Sequence, residues 1–70
     1  MSEENPTSAP ISTLWCHRKT GGIYVVSGEC QIEATNEVGI LYSSVQTEGP
    51  LWCRPKSEFL DGRFVQLNVS

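Results

Sequence analysis

The sequence predicts a small all-β domain of about five strands, built as a barrel or as a strongly bent antiparallel sheet. Short runs rich in β-branched and aromatic residues recur along the 70 residues. Turn signals with Gly, Pro or Asn separate these runs. No amphipathic stretch of about ten residues with a helical period interrupts them. Because a chain this short buries only about 60% of its unfolded surface, nearly every large apolar side chain is needed for the core.

The N-terminal half is predicted to hold a tail and the first strands. Residues 1–10 contain two prolines and few apolar side chains, so we expect a disordered tail, with residues 11–70 as the single domain. A first strand over 13–17 is followed by the turn Thr20-Gly21-Gly22 and by a strand over 23–28, the strongest of the chain. Gly28 indicates a bulge or bend, and residues 29–33 continue or return the sheet.

The C-terminal half is predicted to complete the sheet. A turn at 34–37 precedes a strand over 38–45, and Gly49-Pro50 marks the next turn. The strand 51–54 must end or lie at an edge because Pro55 has no N–H to donate. Residues 57–62 fit one helical or 3₁₀ turn, with Ser57 as its cap and Gly62 as its stop. Residues 63–69 close the sheet.

Charge and composition exclude several function classes. The formal charge is −3, and residues 11–70 alone hold five cations against six acids, which leaves −1. A nucleic-acid-binding protein usually has a basic excess, so this balance disfavours one. No stretch is apolar and long enough for a bilayer and no secretory pattern precedes the domain, so we predict a cytoplasmic protein without a membrane partner. Three cysteines, an odd number, fit a reducing compartment.

The triplet Leu-Trp-Cys occurs at 14–16 and at 51–53, and each copy runs into positive charge. We expect at least one of the two tryptophans to lie in the core. Trp52 and Arg54 lie on one face of a strand, where cation and ring can stack. They are the best candidates for a surface anchor. The full predicted binding face comprises Trp52, Arg54, Lys56, Arg18, Lys19, Tyr24 and Tyr42.

Four side chains are of a type that binds zinc: Cys16, His17, Cys30 and Cys53. Neighbours on a strand point to opposite faces, so Cys16 and His17 do not easily share an ion, and no Cys-x-x-Cys knuckle is present. The same four include the only conventional base, His17, but no catalytic motif surrounds it. The sequence therefore predicts no metal, no cofactor and no enzymatic activity.

Two blocks of the sequence resemble a small uncharacterised family of bacterial and phage domains. The blocks are Lys19-Thr20-Gly21-Gly22-Ile23-Tyr24-Val25-Val26-Ser27-Gly28-Glu29 and, after Tyr42, Gly49-Pro50-Leu51-Trp52-Cys53-Arg54-Pro55-Lys56-Ser57-Glu58-Phe59. They are similar to the pattern K-G-G-x-Y-x-V-x-G followed by L-W-V-R-P-x-x-x-F, over about residues 15 to 62. Cys53 stands where the family has valine, and Thr20 is inserted before the glycines. The resemblance implies an SH3-like barrel and a phage or bacterial accessory role, in the host cytoplasm if phage-encoded.

Together these features favour a non-enzymatic module that binds another protein, a host or cellular one. Trp, Tyr and Arg carry much of the binding energy at protein interfaces. A weak single-stranded nucleic-acid binder that uses the same face is the first alternative. A self-assembling protein, for example a homodimer paired through a sheet edge, is the second.

Overall fold

The computed structural model describes residues 8–67, which form one five-stranded sheet. The strands are β1 Leu14–His17, β2 Ile23–Ile32, β3 Glu37–Ser44, β4 Trp52–Pro55 and β5 Phe64–Leu67. Their order is β4-β3-β2-β1-β5, and every neighbouring pair is antiparallel. A short helix α1, Lys56–Glu58, and a π-helical turn, Phe59–Arg63, connect β4 to β5. The predicted all-β class, the five strands and the single helical segment are confirmed.

The sheet is open but strongly curled. Among the described residues β4 and β5 are edge strands that do not pair with each other, so the bent-sheet form is found and not a closed barrel. A flat sheet would hold these edges roughly 19 Å apart, at about 4.8 Å per strand. Yet the guanidinium of Arg54 on β4 lies 5.5 Å from the ring centroid of Phe64 on β5. The sheet therefore has a concave face, on which the two edges approach, and a convex face.

A bulge in β2 contributes to this curl. Val26 lies opposite Tyr42 and Gly28 lies opposite Leu41, so Ser27 is one extra residue in the ladder. An extra residue bends the strand and increases its local twist. The predicted bulge at Gly28 is thus confirmed, and 23–32 is one continuous strand.

The core fills the concave face and is largely aromatic. Its buried members are Ala9, Trp15, Val26, Ile40, Tyr42, Phe59 and Phe64. Phe59 belongs to the π-helical turn, where its ring stacks on Phe64 at 4.3 Å and meets the edge of Trp15 at 5.1 Å. The turn therefore covers the open side of the curled sheet and completes the core.

The predicted turns around Gly21 and at 34–37 are confirmed, whereas the chain forms no turn at Gly49-Pro50 and the predicted helix cap is wrong. Gly21, Asn36 and Gly62 adopt positive φ values of 79°, 60° and 108°, a conformation that glycine and asparagine tolerate best. Gly62 ends the helical segment as expected. Ser57 does not cap it, because α1 begins one residue earlier, after Pro55, with no side-chain cap.

The predicted division at residue 10 differs from the structure. Ala9 is 4% exposed within the core, and the backbone oxygen of Pro10 accepts a hydrogen bond of 2.6 Å from the Thr13 hydroxyl. The packed domain therefore begins before residue 11. Residues 1–7 of the predicted tail, and Asn68 and Val69 of the predicted last strand, lie outside the described residues. No helix in the described part is long and apolar enough to cross a membrane.

Candidate functional site

The two Leu-Trp-Cys triplets both lie on strands, but the sheet gives their tryptophans opposite environments. Trp15 is on β1, between β2 and β5, and is 0% exposed. Its indole N–H donates a hydrogen bond of 2.8 Å to the Thr13 hydroxyl, so the buried polar group is satisfied. Trp52 is on the edge strand β4 and is 50% exposed. The second triplet therefore presents its ring to solvent.

Trp52 forms one wall of a groove at the mouth of the concave face. It lies directly opposite Tyr42 in the β3–β4 ladder, and residues opposite each other share a face. The groove has a volume of about 250 Å³ and is lined by His17, Thr20, Tyr24, Tyr42, Trp52, Arg54 and Phe64. We call it the aromatic groove. Pockets for drug-sized ligands have volumes of about 300–1,000 Å³, so this one suits a single side chain better.

Arg54 is fixed in the groove by three contacts. Its Nε donates to the Tyr42 hydroxyl at 3.3 Å, its guanidinium lies over Phe64, and one terminal nitrogen is 3.8 Å from a carboxylate oxygen of Glu58. The hydrogen bond with Tyr42 raises the pKa of Arg54, against the opposing effect of burial. The cation that we expected to stack on Trp52 is found on Phe64 instead, because the curl brings β5 under it.

A second depression lies beside the aromatic groove and is lined by cations. It has a volume of about 340 Å³ and is formed by His17, Arg18, Lys19, Arg54 and Arg63. We call it the cationic cleft. His17 and Arg54 line both, so the two are adjacent. His17 is held in place by an edge-on contact of 4.9 Å with Phe64 and by a 3.4 Å hydrogen bond from the Thr20 backbone N–H to its Nδ1.

The structure gathers most of the predicted binding face in one place. Tyr24, Tyr42, Trp52 and Arg54 line the aromatic groove, while Arg18 and Lys19 line the cationic cleft. Lys56 is apart from both, in an ion pair of 3.1 Å with Glu29.

Sequence reasoning missed other members of these two depressions. They are His17, Thr20, Arg63 and Phe64. His17 lies opposite Phe64 in the β1–β5 ladder, a pairing of residues far apart in the chain. The alternation predicted for the last strand, from Val65 onward, gave no signal for Phe64, because it places Phe64 on the same face as the polar Gln66.

The zinc ligands considered from the sequence do not converge. Within residues 8–67 no three side chains of His, Cys, Asp or Glu come together in a way that could hold a metal ion. The Cys16 thiol donates a weak hydrogen bond of 3.8 Å to the backbone oxygen of its neighbour His17. Cys30 and Cys53 do meet, with their sulfurs 3.1 Å apart.

Comparison with family models, with curated proteins and with solved structures finds no match for this chain. The resemblance to the bacterial and phage domain family therefore stays a prediction.

Proposed function

We propose that this chain is a non-enzymatic module that binds a segment of another protein in the aromatic groove. The observation that carries the proposal is Trp52, a large ring left half exposed at the rim of a groove that it shares with Tyr42 and Arg54. A domain this small needs its large rings for its core, so a tryptophan left exposed forgoes the stabilisation that its burial would give. Tryptophan, tyrosine and arginine are also the residues most enriched at interface hot spots.

The groove is organised before any partner arrives. Arg54 is held by Tyr42, Phe64 and Glu58, and Tyr42 is packed edge-on against Tyr24 at 5.4 Å. Immobilising a free side chain on binding costs about 0.5–1.5 kcal/mol. Arg54 and Tyr42 are already ordered by these contacts in the folded chain, so this cost does not arise again on binding. A preformed groove therefore binds a partner side chain with a smaller entropic loss.

The cationic cleft indicates what surrounds the anchor side chain. Arg54 and Arg63 are near Glu58, and Arg63 also pairs with Asp61 at 3.0 Å. Arg18 and Lys19, in contrast, have no ion-pair partner among the described residues. Their charge favours a partner segment with an aromatic or apolar anchor next to carboxylates, because complementary charge speeds association and fixes orientation.

A single-stranded nucleic acid is the alternative occupant of this face, since rings beside cations can stack bases and hold phosphates. Glu58 pairs with Arg54 and Arg63, and Asp61 pairs with Arg63, so two of the four cations in the cleft have a carboxylate beside them that would repel a phosphate chain. We therefore rank a protein segment first. Pairing of two copies through the free edges β4 and β5 is a further alternative. The phage or bacterial accessory role and the cytoplasmic location stay predictions.

The test is affinity capture from a lysate of the source organism, followed by measurement of Kd for the captured protein. Trp52→Ala and Arg54→Ala each remove a groove wall and should weaken binding by about 2 kcal/mol, roughly thirtyfold. Val65→Ala is the matched control, because Val65 is also exposed but faces away from the groove on β5. Circular dichroism should show that all three variants remain folded.

Two results would contradict the proposal. One is capture that survives both groove variants unchanged. The other is strong binding of a single-stranded oligonucleotide, weakened steeply by salt and abolished by Trp52→Ala, which would favour the nucleic-acid alternative. A mass of two chains in light scattering that falls to one on substitution in β4 or β5 would favour self-assembly.

A further inference from the structure

Two thiols that the aromatic groove does not use meet on the convex face. Cys30 is on β2 and Cys53 is on β4, so β3 lies between them. Cys30 stands opposite Gly39, and Cys53 stands opposite Leu41 on the same strand. Their sulfurs are 3.1 Å apart, which is within about 1 Å of the length of an S–S bond. The two side chains therefore reach each other across a whole strand.

Gly39 allows this contact because it has no side chain. A Cβ at this position would be 2.6 Å from the sulfur of Cys53 and 3.0 Å from that of Cys30. Any larger residue would occupy the space in which the sulfurs meet. The third cysteine, Cys16, has a different environment, since its thiol donates to the backbone oxygen of His17. The close pair thus depends on three neighbouring strands and on one glycine.

The distance between the sulfurs indicates which chemistry the pair can perform. Two thiolates that share a metal ion lie roughly 4.6 Å apart, at about 2.3 Å for each bond, and no third His, Cys, Asp or Glu of the described residues joins this pair. The observed separation is closer to that of a disulfide. We propose that Cys30 and Cys53 are a reversible modification site, which closes to an intramolecular disulfide when glutathione disulfide is abundant and opens again in excess glutathione.

Closure consists of two thiol–disulfide exchanges whose atoms and electrons balance. The thiolate of Cys53, the exposed member of the pair, attacks one sulfur of glutathione disulfide and releases one glutathione. The sulfur of Cys30 then attacks that of Cys53 and releases the second glutathione. The two protons of the pair pass to the two released glutathione thiolates. Two electrons pass with them, so the pair is oxidised and glutathione disulfide is reduced.

The protonation of the pair governs the rate of closure. A hydrogen bond with Cys30 raises the pKa of Cys53 above its ordinary value. Because the thiolate is the attacking species, exchange should be slow at neutral pH and should become faster as the pH rises. A stabilised thiolate favours the reduced form of a dithiol, and this pair lacks one. The raised pKa therefore slows the reaction without opposing its product.

Closure attaches an edge strand of the sheet to its centre. Within residues 8–67 β4 pairs only with β3, and the disulfide adds a covalent link from β4 to β2. Local opening of β4 is then restricted, so the backbone amides of Trp52, Cys53 and Arg54 should exchange more slowly with solvent in the oxidised chain. Trp52 and Arg54 line the aromatic groove. An effect on a bound partner would rest on the proposed function, whereas formation of the bond does not.

The test is treatment of the reduced, folded full chain with glutathione disulfide, followed by acid quenching, intact-mass measurement and peptide mapping. Wild type should lose the mass of two hydrogen atoms and give a peptide linked through Cys30 and Cys53. Cys16→Ser is the matched control and should close to the same extent, because Cys16 lies outside the pair. Cys30→Ser and Cys53→Ser should form no internal bond and should stop at a glutathione adduct.

Two further samples separate the folded contact from the mere presence of two cysteines. Gly39→Ala keeps both thiols but fills the space between them, so the glutathione adduct should accumulate and the disulfide should form more slowly. Circular dichroism should show that this variant is folded. Wild type in urea keeps every thiol without the folded contact, and deuterium exchange of the oxidised and reduced chains reports on β4.

Three results would overturn the modification site. They are glutathione adducts without ring closure in the folded wild type, a disulfide that involves Cys16, and closure that begins only in urea. Equal closure rates in wild type and in folded Gly39→Ala would overturn the role given to the glycine. Unchanged amide exchange in β4 after closure would overturn the effect on the edge strand.

Discussion

Trp15 and Trp52 stand in the same three-residue sequence, yet Trp15 is fully buried and Trp52 is half exposed. Both face the concave side of the sheet. The difference is the position of their strands, since β1 has a neighbour on each side and β4 has one. The alternation of residues along a strand therefore determines which face of the sheet a side chain lies on. The order of the strands determines how completely that side chain is buried.

The largest expected difference between the two tryptophans is in stability. Trp15→Ala removes a ring that contacts Phe59 and leaves a cavity, which should cost about 3–5 kcal/mol. A small domain has only about 5 kcal/mol in total, so the variant should be largely unfolded. Trp52→Ala should cost less than about 1 kcal/mol because the ring is already half in water. Urea unfolding followed by circular dichroism measures both, and equal losses would refute the contrast.

A smaller effect should come from the hydrogen bond that satisfies the Trp15 indole. Thr13→Val keeps the shape of the side chain but removes the acceptor, and an unsatisfied buried N–H costs about 1–3 kcal/mol. The substitution also removes the hydroxyl that donates to the backbone oxygen of Pro10. Thr13→Ser retains the hydroxyl and is the control. If both variants unfold at the same urea concentration, the indole is not held as the structure indicates.

The mildest substitutions, from tryptophan to phenylalanine, test how exposed each tryptophan is to solvent. Trp15→Phe leaves Trp52 as the single tryptophan, and Trp52→Phe leaves Trp15. Acrylamide should quench the fluorescence of Trp52 strongly and that of Trp15 weakly, because the quencher must touch the ring. Addition of the captured partner should protect Trp52 and leave Trp15 unchanged. A Trp52 that stays fully quenchable in the complex would place the interface elsewhere.

Much of the fold could be predicted because its signals are local. Gly21, Asn36 and Gly62 mark turns through backbone conformations that few other residues adopt, and the run of β-branched residues in β2 marks its strand. Pro55 predicted that β4 either ends at this residue or lies at an edge, and the strand does both. Ser57 was misjudged as a cap because helix boundaries depend on packing, here the insertion of Phe59 into the core.

The site was predicted less completely because its geometry depends on curvature. Tyr42, Trp52 and Arg54 are neighbours in one ladder, so the alternation of a strand places them together. Phe64 reaches Arg54 only because the two sheet edges curl towards each other, and no pattern within either strand encodes that distance. The meeting of Cys30 and Cys53 likewise requires a third strand and its glycine.

The extra residue in β2 has a consequence for both surfaces. Residues 24 and 26 face the concave side before the bulge, and residues 29 and 31 face it afterwards, so odd and even positions exchange roles at Ser27. In an unbroken ladder Cys30 would stand opposite Val38, with its side chain on the concave face. Removal of Ser27 would keep each remaining pair aligned but straighten the strand. An insertion or deletion at this point would thus change the curvature of the sheet. A single-residue insertion or deletion elsewhere in β2 would instead move the side chains beyond it to the opposite face.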